Sequence, residues 1–387
     1  MHGLRFPSSE FTRRVRRIRR RMIDRGLDAL AIFSSPGSMR CGQRGHVLYV
    51  SGYEPYFGDT MVLLPAEKNV DPLLQIDSAD YFPSDCTWIE DVVDAQDPVT
   101  TLREFLDGAT PKLKRIGLVG EPLTPAGLKG RLKRSLSSWK FVEASEILED
   151  ERVVKTEFEI DSIRKASGIA KTGFETALGY AKSGMSEAEI VAEVERVCRL
   201  RGSEGFPHNT MVTSGADKKH LEWWWYCGQR KLRRGDPWNL DFGTMFNGYC
   251  CDIARSFCLG KPSDRHVDLY ERLAEAEEAA RRSMVPGIMA SEVNEVVTEE
   301  MERTFEGDFS GIGHGVGLEV HEWPFVGYEY IENDRMYADR ELEKNMIISV
   351  EPQVYVKGLG YMQIEDEFVV TKSGGVPLST IARELWH

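Results

Sequence analysis

Apolar residues follow a helical period near the start of the chain. Residues 11–25 are dense in arginine, and Val15, Ile18, Met22 and Leu27 recur at roughly helical spacing. This pattern predicts an amphipathic helix whose apolar stripe faces the core and whose arginines face solvent. We favour that interpretation over an anchor for an anionic surface.

Short apolar runs follow this helix. Residues 27–33 predict a buried strand, and residues 61–65 (MVLLP) predict another. The apolar segment at residues 46–53 lies between them. Strands and helices alternate in this way to about Val142, which predicts an α/β amino-terminal domain without a catalytic constellation.

The charged segment at residues 148–160 marks a change of character and leads into a long predicted helix at residues 157–182. We therefore place a domain boundary near residue 152. It separates an amino-terminal domain, residues 1–152, from a second domain, residues 153–387.

The second domain contains a faint internal repeat. Residues 183–190 open a helix in which Ser186 and Glu189 form a capping box, and residues 286–293 are similar. An acidic amphipathic segment follows each of them. Two α+β halves related by a pseudo-two-fold axis would explain the repeat.

Composition narrows the class of protein. The 387 residues carry a formal net charge of −13, with a pI near 5.3, which argues against nucleic acid or an anionic membrane as partner. The seven cysteines show no CxxC spacing, as expected of a reduced, cytoplasmic protein. No apolar run approaches the roughly 18 residues of a membrane span, and no export signal is apparent.

Candidate chemistry centres on residues 240–257, LDFGTMFNGYCCDIARSF. Asn247 and Gly248 predict a two-residue type I′ hairpin, which places Asp241 opposite Ala254 and makes Asp252 its diagonal neighbour. Two such carboxylates repel each other unless divalent cations lie between them. An ordinary exposed hairpin with two surface acids is the alternative.

Three further residues strengthen the metal interpretation. His314 lies in GIGHGVG, Glu351 in IISVEP and Glu365 in GYMQIEDEF, each beside a strand or a glycine-rich turn. Carboxylates with few histidines suit hard or borderline divalent ions such as Mn, Co, Fe or Zn.

With these four motifs in this order, the chain resembles the pita-bread metallohydrolases, the group of methionine aminopeptidase, prolidase, aminopeptidase P and creatinase. The resemblance covers nearly the whole chain. Residues 49–53 (YVSGY) are similar to a segment of the creatinase-type amino-terminal domain, and residues 152–160 (RVVKTEFEI) to the phrase that opens the catalytic domain. The resemblance implies a pita-bread catalytic domain with an internal pseudo-two-fold axis.

The same resemblance implies a two-metal hydrolase and a role for each site residue. Asp241 would hold one ion, Asp252 and Glu365 would bridge both ions, and His314 and Glu351 would complete the coordination shell of the second ion. Glu351 would also shuttle a proton. His220 and His321 would donate hydrogen bonds to the tetrahedral intermediate and the leaving nitrogen.

Substrate contacts are expected from two aromatic segments. Trp223 and Trp225 belong to a run of four aromatic residues, which cannot all face one side of a strand, so some would line a cavity or an interface. The family is usually a homodimer in which the amino-terminal domain closes the partner's pocket. We expect Tyr53, Tyr56, Phe57 and Asp59 to form that lid, with a plain surface loop as the alternative.

Departures from the family leave several functions open. Gln363 stands where many Xaa-Pro peptidases have arginine, and Gln353 replaces the usual glycine after Glu-Pro. An Xaa-Pro dipeptidase or aminopeptidase is the first reading. The alternatives are hydrolysis of a small amide, as in creatinase or ectoine hydrolase relatives, and β-elimination resembling the dimethylsulfoniopropionate lyase branch. Asn239 stands near the first ligand, where that branch carries an aspartate. A binding module is disfavoured because the ligand set is intact.

Overall fold

The computed structural model describes residues 4–34, 45–55, 58–77, 84–94, 97–108, 114–120, 126–217, 227–305, 308–327 and 338–383. The chain forms two compact units, Met1–Arg152 and Val153–His387. Among the helices in the described ranges, none is long and apolar enough to cross a bilayer.

A six-stranded mixed sheet forms the centre of the amino-terminal unit. Its strands are β1 (Ala29–Ser34), β2 (Thr60–Pro65), β3 (Leu73–Ile76), β4 (Asp91–Asp94), β5 (Arg115–Val119) and β6 (Lys140–Glu143). They lie in the order β4-β3-β2-β1-β5-β6, with β1 antiparallel to β2 and parallel to β5. The helices are α1 (Ser8–Asp24), α2 (His46–Ser51), α3 (Pro98–Gly108), α4 (Ala126–Ser135) and α5 (Ser145–Val153). The predicted α/β fold of this unit is confirmed.

Helix α1 buries the stripe that its sequence predicts, namely Phe11, Val15, Ile18 and Met22. The expectation that its arginines face solvent was wrong at Arg14, whose side chain is 1 % exposed. Arg14 donates to the Glu10 carboxylate and to the Tyr49 carbonyl, both at 3.0 Å, and its guanidinium lies over the Tyr49 ring. Because these partners satisfy the charge and the donors, the arginine can be buried.

The apolar segment that begins at His46 is the short helix α2, and all six of its residues are buried. An apolar run of this length fits a buried strand or a buried helix, so periodicity alone does not assign it. Gly52 ends the helix with a φ of 79°, a left-handed conformation that glycine adopts without strain.

The second unit consists of two similar halves. The first half contains α6 (Glu157–Tyr180), α7 (Glu187–Leu200), β7 (Met211–Ser214), β8 (Pro237–Phe242), β9 (Met245–Phe246), β10 (Tyr249–Cys250) and β11 (Ile253–Cys258). The second half contains α8 (Asp264–Ser283), α9 (Ala290–Thr304), β12 (Asp308–Gly315), β13 (Glu322–Val326), β14 (Ile347–Val356), β15 (Gly360–Thr371) and β16 (Gly374–Pro377).

One large antiparallel sheet joins the two halves, in the order β13-β12-β14-β15-β11-β8-β7, with β16 beside β15. On one side of the centre of the sheet the strands follow in the order β15, β14, β12. On the other side they follow in the order β11, β8, β7, which are the equivalent strands of the first half. The central contact pairs Ala254 of β11 with Glu365 of β15. The predicted pseudo-two-fold axis is therefore confirmed.

Equivalent backbone hydrogen bonds show the same symmetry. Gly184 donates to the Leu232 carbonyl at 2.8 Å, and Gly287 donates to the Leu342 carbonyl at 2.9 Å. Ser186 caps α7 in a full capping box with Glu189. At the start of α9, the equivalent place, the backbone N–H of Met289 donates to the Glu292 carboxylate at 2.7 Å. The Met289 side chain cannot accept a hydrogen bond from the helix as Ser186 does, because it lacks a strong acceptor.

Each half packs its helices on its own part of the sheet. Phe174, Val194, Leu240, Phe242 and Phe257 belong to the core of the first half. Leu273, Val293, Met301, Ile348 and Ile364 belong to the core of the second. The strands that carry the predicted ligands are therefore supported by two packed hydrophobic cores.

Candidate metal centre

The hairpin that organises the site forms as its sequence predicts. Asn247 and Gly248 occupy the turn with φ of 53° and 78°, and β9 pairs with β10 in the expected register. The Glu204 carboxylate accepts the backbone N–H of Asn247 at 3.0 Å and that of Gly248 at 2.8 Å. The turn is therefore held from outside as well as by its own conformation.

The two aspartates lie where the ribbon meets the large sheet. Asp241 on β8 is directly opposite Ala254 on β11. Gly243 allows the two backbone segments of the ribbon to approach closely, since a Cβ there would lie 1.8 Å from the Cys251 carbonyl oxygen. The Asp252 N–H donates to the buried Glu367 carboxylate at 3.0 Å, which fixes the backbone of Asp252.

His314 reaches the site from β12 between close-packed glycines. A Cβ on Gly313 would lie 2.3 Å from the Ser349 carbonyl oxygen, and one on Gly315 would lie 2.1 Å from that of Trp323. The side chain of His314 is fully buried, and its Nδ1 lies 3.1 Å from the Gly315 carbonyl oxygen. That contact leaves Nε2 facing the carboxylates.

His314 Nε2 has no hydrogen-bond partner among the residues that the structure describes. It lies 3.7 Å from Asp252 Oδ2, 3.6 Å from Glu365 Oε1 and 3.9 Å from Glu351 Oε1. These separations are too long for hydrogen bonds. They match donor atoms that share one ion, because bonds of about 2.1 Å place such atoms about 3–4 Å apart.

The two glutamates come from β14 and β15 in the second half. Glu365 Oε1 accepts a hydrogen bond from the Ser349 hydroxyl at 2.8 Å, and Glu351 Oε2 accepts one from Gln363 Nε2 at 3.1 Å. Each carboxylate is therefore held by one neutral donor.

Three sets of side chains in the described part of the chain bring ligand atoms within 4.8 Å of one another, namely Asp252, His314 and His321; His208, Asp241 and Asp252; and His314, Glu351 and Glu365. All five predicted ligands occur in these sets. A donor set of carboxylates and imidazoles fits Mn, Fe, Co or Zn.

The pKa shifts of the site carboxylates also indicate that the site favours bound cations. Burial raises the pKa of Asp241 well above its usual range, and the Glu365 and Asp252 carboxylates raise it further. Burial followed by repulsion from neighbouring carboxylates likewise raises the pKa values of Glu351 and Glu365. Divalent ions at this position would remove the conflict.

His208 was not predicted as a site residue. It precedes β7, and its Nε2 lies 2.9 Å from Asp252 Oδ1. Burial lowers the pKa of His208, but the Asp252 and Asp241 carboxylates and the Asn209 carbonyl together outweigh burial and raise that pKa to about 10. Burial acts to raise the pKa of Asp252, yet His208, together with His314 and His321, outweighs burial and lowers that pKa. The only sequence signal is a histidine just before a strand that pairs with β8.

His321 lies at the edge of the site. Its Nε2 is 3.7 Å from Asp252 Oδ2, and its ring meets that of His314 edge-on at 4.1 Å between centroids. The side chain is 42 % exposed, so a bound substrate could reach it. The next residue, Glu322, is held by Lys155 at 2.6 Å.

The residues noted as departures from the family meet beside Glu351. Gln363, which donates to Glu351, accepts through Oε1 from Asn239 Nδ2 at 3.3 Å and from the Tyr361 hydroxyl at 2.9 Å. The same hydroxyl lies 2.7 Å from Gln353 Oε1. A network of neutral side chains thus stands where the family resemblance implied an arginine.

Five predicted residues, His220, Trp223, Trp225, Tyr56 and Phe57, lie outside the described residues. Of the expected lid, Tyr53 is buried within the amino-terminal unit at 1 % exposure.

Known proteins resemble the chain over nearly its whole length. It is 28 % identical over 376 residues to the Xaa-Pro dipeptidase of Pyrococcus horikoshii. The aligned region covers 96 % of this chain and 98 % of that relative. The X-Pro aminopeptidase from Thermotoga maritima has a similar structure, with a TM-score of 0.82 and 28 % identity over 96 % of this chain and 99 % of that one. The prolidase from Pyrococcus horikoshii gives a TM-score of 0.81 at 27 % identity, over 96 % of this chain and 99 % of that one.

Family models account for both units. Residues 14–154 match the creatinase/prolidase N-terminal domain, and residues 161–372 match metallopeptidase family M24. The second match covers more than half of the chain and contains all five predicted ligands. The predicted pita-bread fold is confirmed, and the chain belongs to metallopeptidase family M24.

Proposed function

We propose that this protein is a dinuclear-metal Xaa-Pro dipeptidase. The observation that carries the proposal is the buried constellation of Asp241, Asp252, His314, Glu351 and Glu365, in which His314 Nε2 faces three carboxylates without a hydrogen bond among the described residues. The substrate class comes from relatives that are named Xaa-Pro dipeptidases, X-Pro aminopeptidases and prolidases.

The residues would divide between two ions in the way that the family resemblance implies. Asp241 would bind the first ion, Asp252 and Glu365 would bridge the two ions, and His314 and Glu351 would complete the coordination of the second ion. When bound, the ions would activate a water molecule and polarise the scissile carbonyl. Mn, Co, Fe and Zn all suit this donor set.

The protein side chains would then manage protons and hydrogen bonds. Glu351 takes a proton from the attacking water and delivers it to the leaving nitrogen. His321, whose exposed side chain borders Asp252, and His220 would donate hydrogen bonds to the tetrahedral intermediate and the leaving nitrogen. Trp223, Trp225, Tyr56 and Phe57 would contact the substrate.

Three further expectations complete the proposal. Residues 1–152 and 153–387 act as separate domains, the protein is a homodimer, and it works in the cytoplasm. The lack of CxxC spacing among the seven cysteines of the sequence supports the last of these.

Turnover by metal-free and Mn-reloaded protein tests the function. The panel holds Xaa-Pro dipeptides, a longer Xaa-Pro peptide, ectoine, creatine and dimethylsulfoniopropionate. We expect Mn-dependent cleavage of the dipeptides. Turnover of a small charged compound with no peptide cleavage would contradict the proposal and indicate a repurposed site.

The ligand assignment has its own test. Asp252→Asn should lose bound metal, measured by elemental analysis after dialysis, because a bridging carboxylate becomes a neutral amide. Asp268→Asn is the matched control, since Asp268 is exposed on α8 and forms an ion pair with Arg272. Equal metal content in the two variants would rule out Asp252 as a ligand.

A further inference from the structure

We propose that His208 is a sixth metal ligand, which binds through Nε2 the same ion as Asp241 and Asp252. This inference rests on the proposed dinuclear centre and adds to it a residue outside the five that the family motifs supply. Its basis is the approach of ligand atoms from His208, Asp241 and Asp252 to within 4.8 Å of one another.

His208 repeats the arrangement of His314. The Nδ1 of His314 lies 3.1 Å from the carbonyl oxygen of the next residue, Gly315. The Nδ1 of His208 lies 2.9 Å from the carbonyl oxygen of its own next residue, Asn209. In both, Nε2 is left to face the carboxylates. Metal-binding histidines usually donate their second ring N–H to such a carbonyl or carboxylate, which fixes the tautomer and aims the other nitrogen at the ion.

The contact between His208 and Asp252 fits a shared ion. Nε2 and Oδ1 are 2.9 Å apart. Two donor atoms with bonds of about 2.1 Å at a right angle lie about 3.0 Å apart, so a hydrogen bond without the ion and joint ligation with it require nearly the same geometry. The His208 side chain is 10 % exposed, which leaves little room for it to turn away.

One histidine ligand for each ion would change which metals the centre prefers. His208 would give the ion at Asp241 one nitrogen donor, and His314 would give one to the ion at Glu351. An imidazole in place of water or a carboxylate favours borderline ions such as Zn and Co over Mn and Mg. We therefore expect the ion at Asp241 to be held more tightly as Co or Zn than as Mn.

Proton NMR of the Co(II)-loaded protein tests the proposal directly. An imidazole bound through Nε2 to Co(II) carries one strongly shifted, exchangeable Nδ1–H signal. Wild-type protein with two Co(II) ions should show one such signal that disappears in His208→Ala, whether or not the ion at Asp241 stays bound. His208→Ala should also lower the affinity for one ion by on the order of tenfold or more in a Co(II) titration.

His266→Gln is the control, because His266 lies on α8 with its Nε2 3.0 Å from the Leu359 carbonyl oxygen. It should keep every shifted signal. If wild type binds two ions and His208→Ala keeps every shifted signal, His208 only donates a hydrogen bond to Asp252 and the inference is wrong. If wild type does not bind two Co(II) ions, the proposed dinuclear function fails as well.

Discussion

The Lys155 ammonium lies 2.6 Å from the Glu322 carboxylate, and the lysine side chain is only 1 % exposed. Glu322 follows His321 in sequence, and its carboxylate lies over Gly317, where a Cβ would come within 2.2 Å of Oε1. The ion pair therefore fixes the segment that presents His321 to the metal centre. It links a residue at the start of the catalytic unit to the edge of the site.

Replacing one partner of this pair should destabilise the protein. Lys155→Met removes the ammonium from the Glu322 carboxylate, whose side chain is 10 % exposed, and breaking a buried ion pair typically costs about 3 kcal/mol of unfolding free energy. Urea unfolding of the metal-loaded protein measures the loss. The double variant Lys155→Met/Glu322→Leu should recover most of the stability. Its kcat should stay low, because the ion pair that positions the His321 segment is absent. Full recovery of kcat in the double variant would show that the pair has no positioning role.

Gln363 should affect turnover more than binding. Gln363→Leu removes the hydrogen bond to Glu351 Oε2, so we expect kcat to fall about tenfold with KM little changed. Tyr361→Phe, which removes only the hydroxyl at the far side of Gln363, should have a smaller effect. Metal content is measured alongside. A larger loss in Tyr361→Phe than in Gln363→Leu would contradict this order.

The amino-terminal unit should lose stability in mild acid. Burial and then the Arg152 charge hold the pKa of His46 well below its ordinary value of 6.5. The unfolded chain therefore takes up a proton that the folded chain does not, and stability present above pH 6.5 falls as the pH drops below it. The slope is at most about 1.4 kcal/mol per pH unit. Thermal unfolding between pH 5 and 7.5 should show a flatter profile for His46→Asn than for wild type, and identical profiles would rule out His46 as the cause.

Metal-free protein should gain stability when one site carboxylate is neutralised. Asp241 is 8 % exposed and is repelled by Glu365 and Asp252. Asp241→Asn should stabilise the metal-free protein by roughly 1 kcal/mol and abolish the additional stability that Mn gives wild type. Melting temperatures with and without Mn supply both numbers. A metal-free Asp241→Asn protein that melts below wild type would show that repulsion is not what limits stability there.

Local chemistry explains which features the sequence could predict. The hairpin follows from Asn247 and Gly248 because their positive φ values are rare in other residues. Helix α7 follows from Ser186 and Glu189, since a capping box is a contact between near neighbours. The five predicted ligands came from motifs in a known order.

Features that depend on distant contacts were harder to predict. Arg14 is buried because Glu10 and the Tyr49 carbonyl surround its charge, and only the first of these is close in sequence. His208 reaches Asp252 only because β7 pairs with β8, which a periodicity analysis does not show. The histidine just before this strand is visible in the sequence, but its position alone does not indicate the contact with Asp252.

The symmetric sheet also determines how the metal centre is divided along the chain. His208, Asp241 and Asp252 come before the connection between β11 and α8, and His314, Glu351 and Glu365 come after it. Neither half holds a complete ligand set. If the chain were cut at that connection, assembly of the complete two-ion centre would require both fragments to reassociate, so binding of both ions would report fragment complementation.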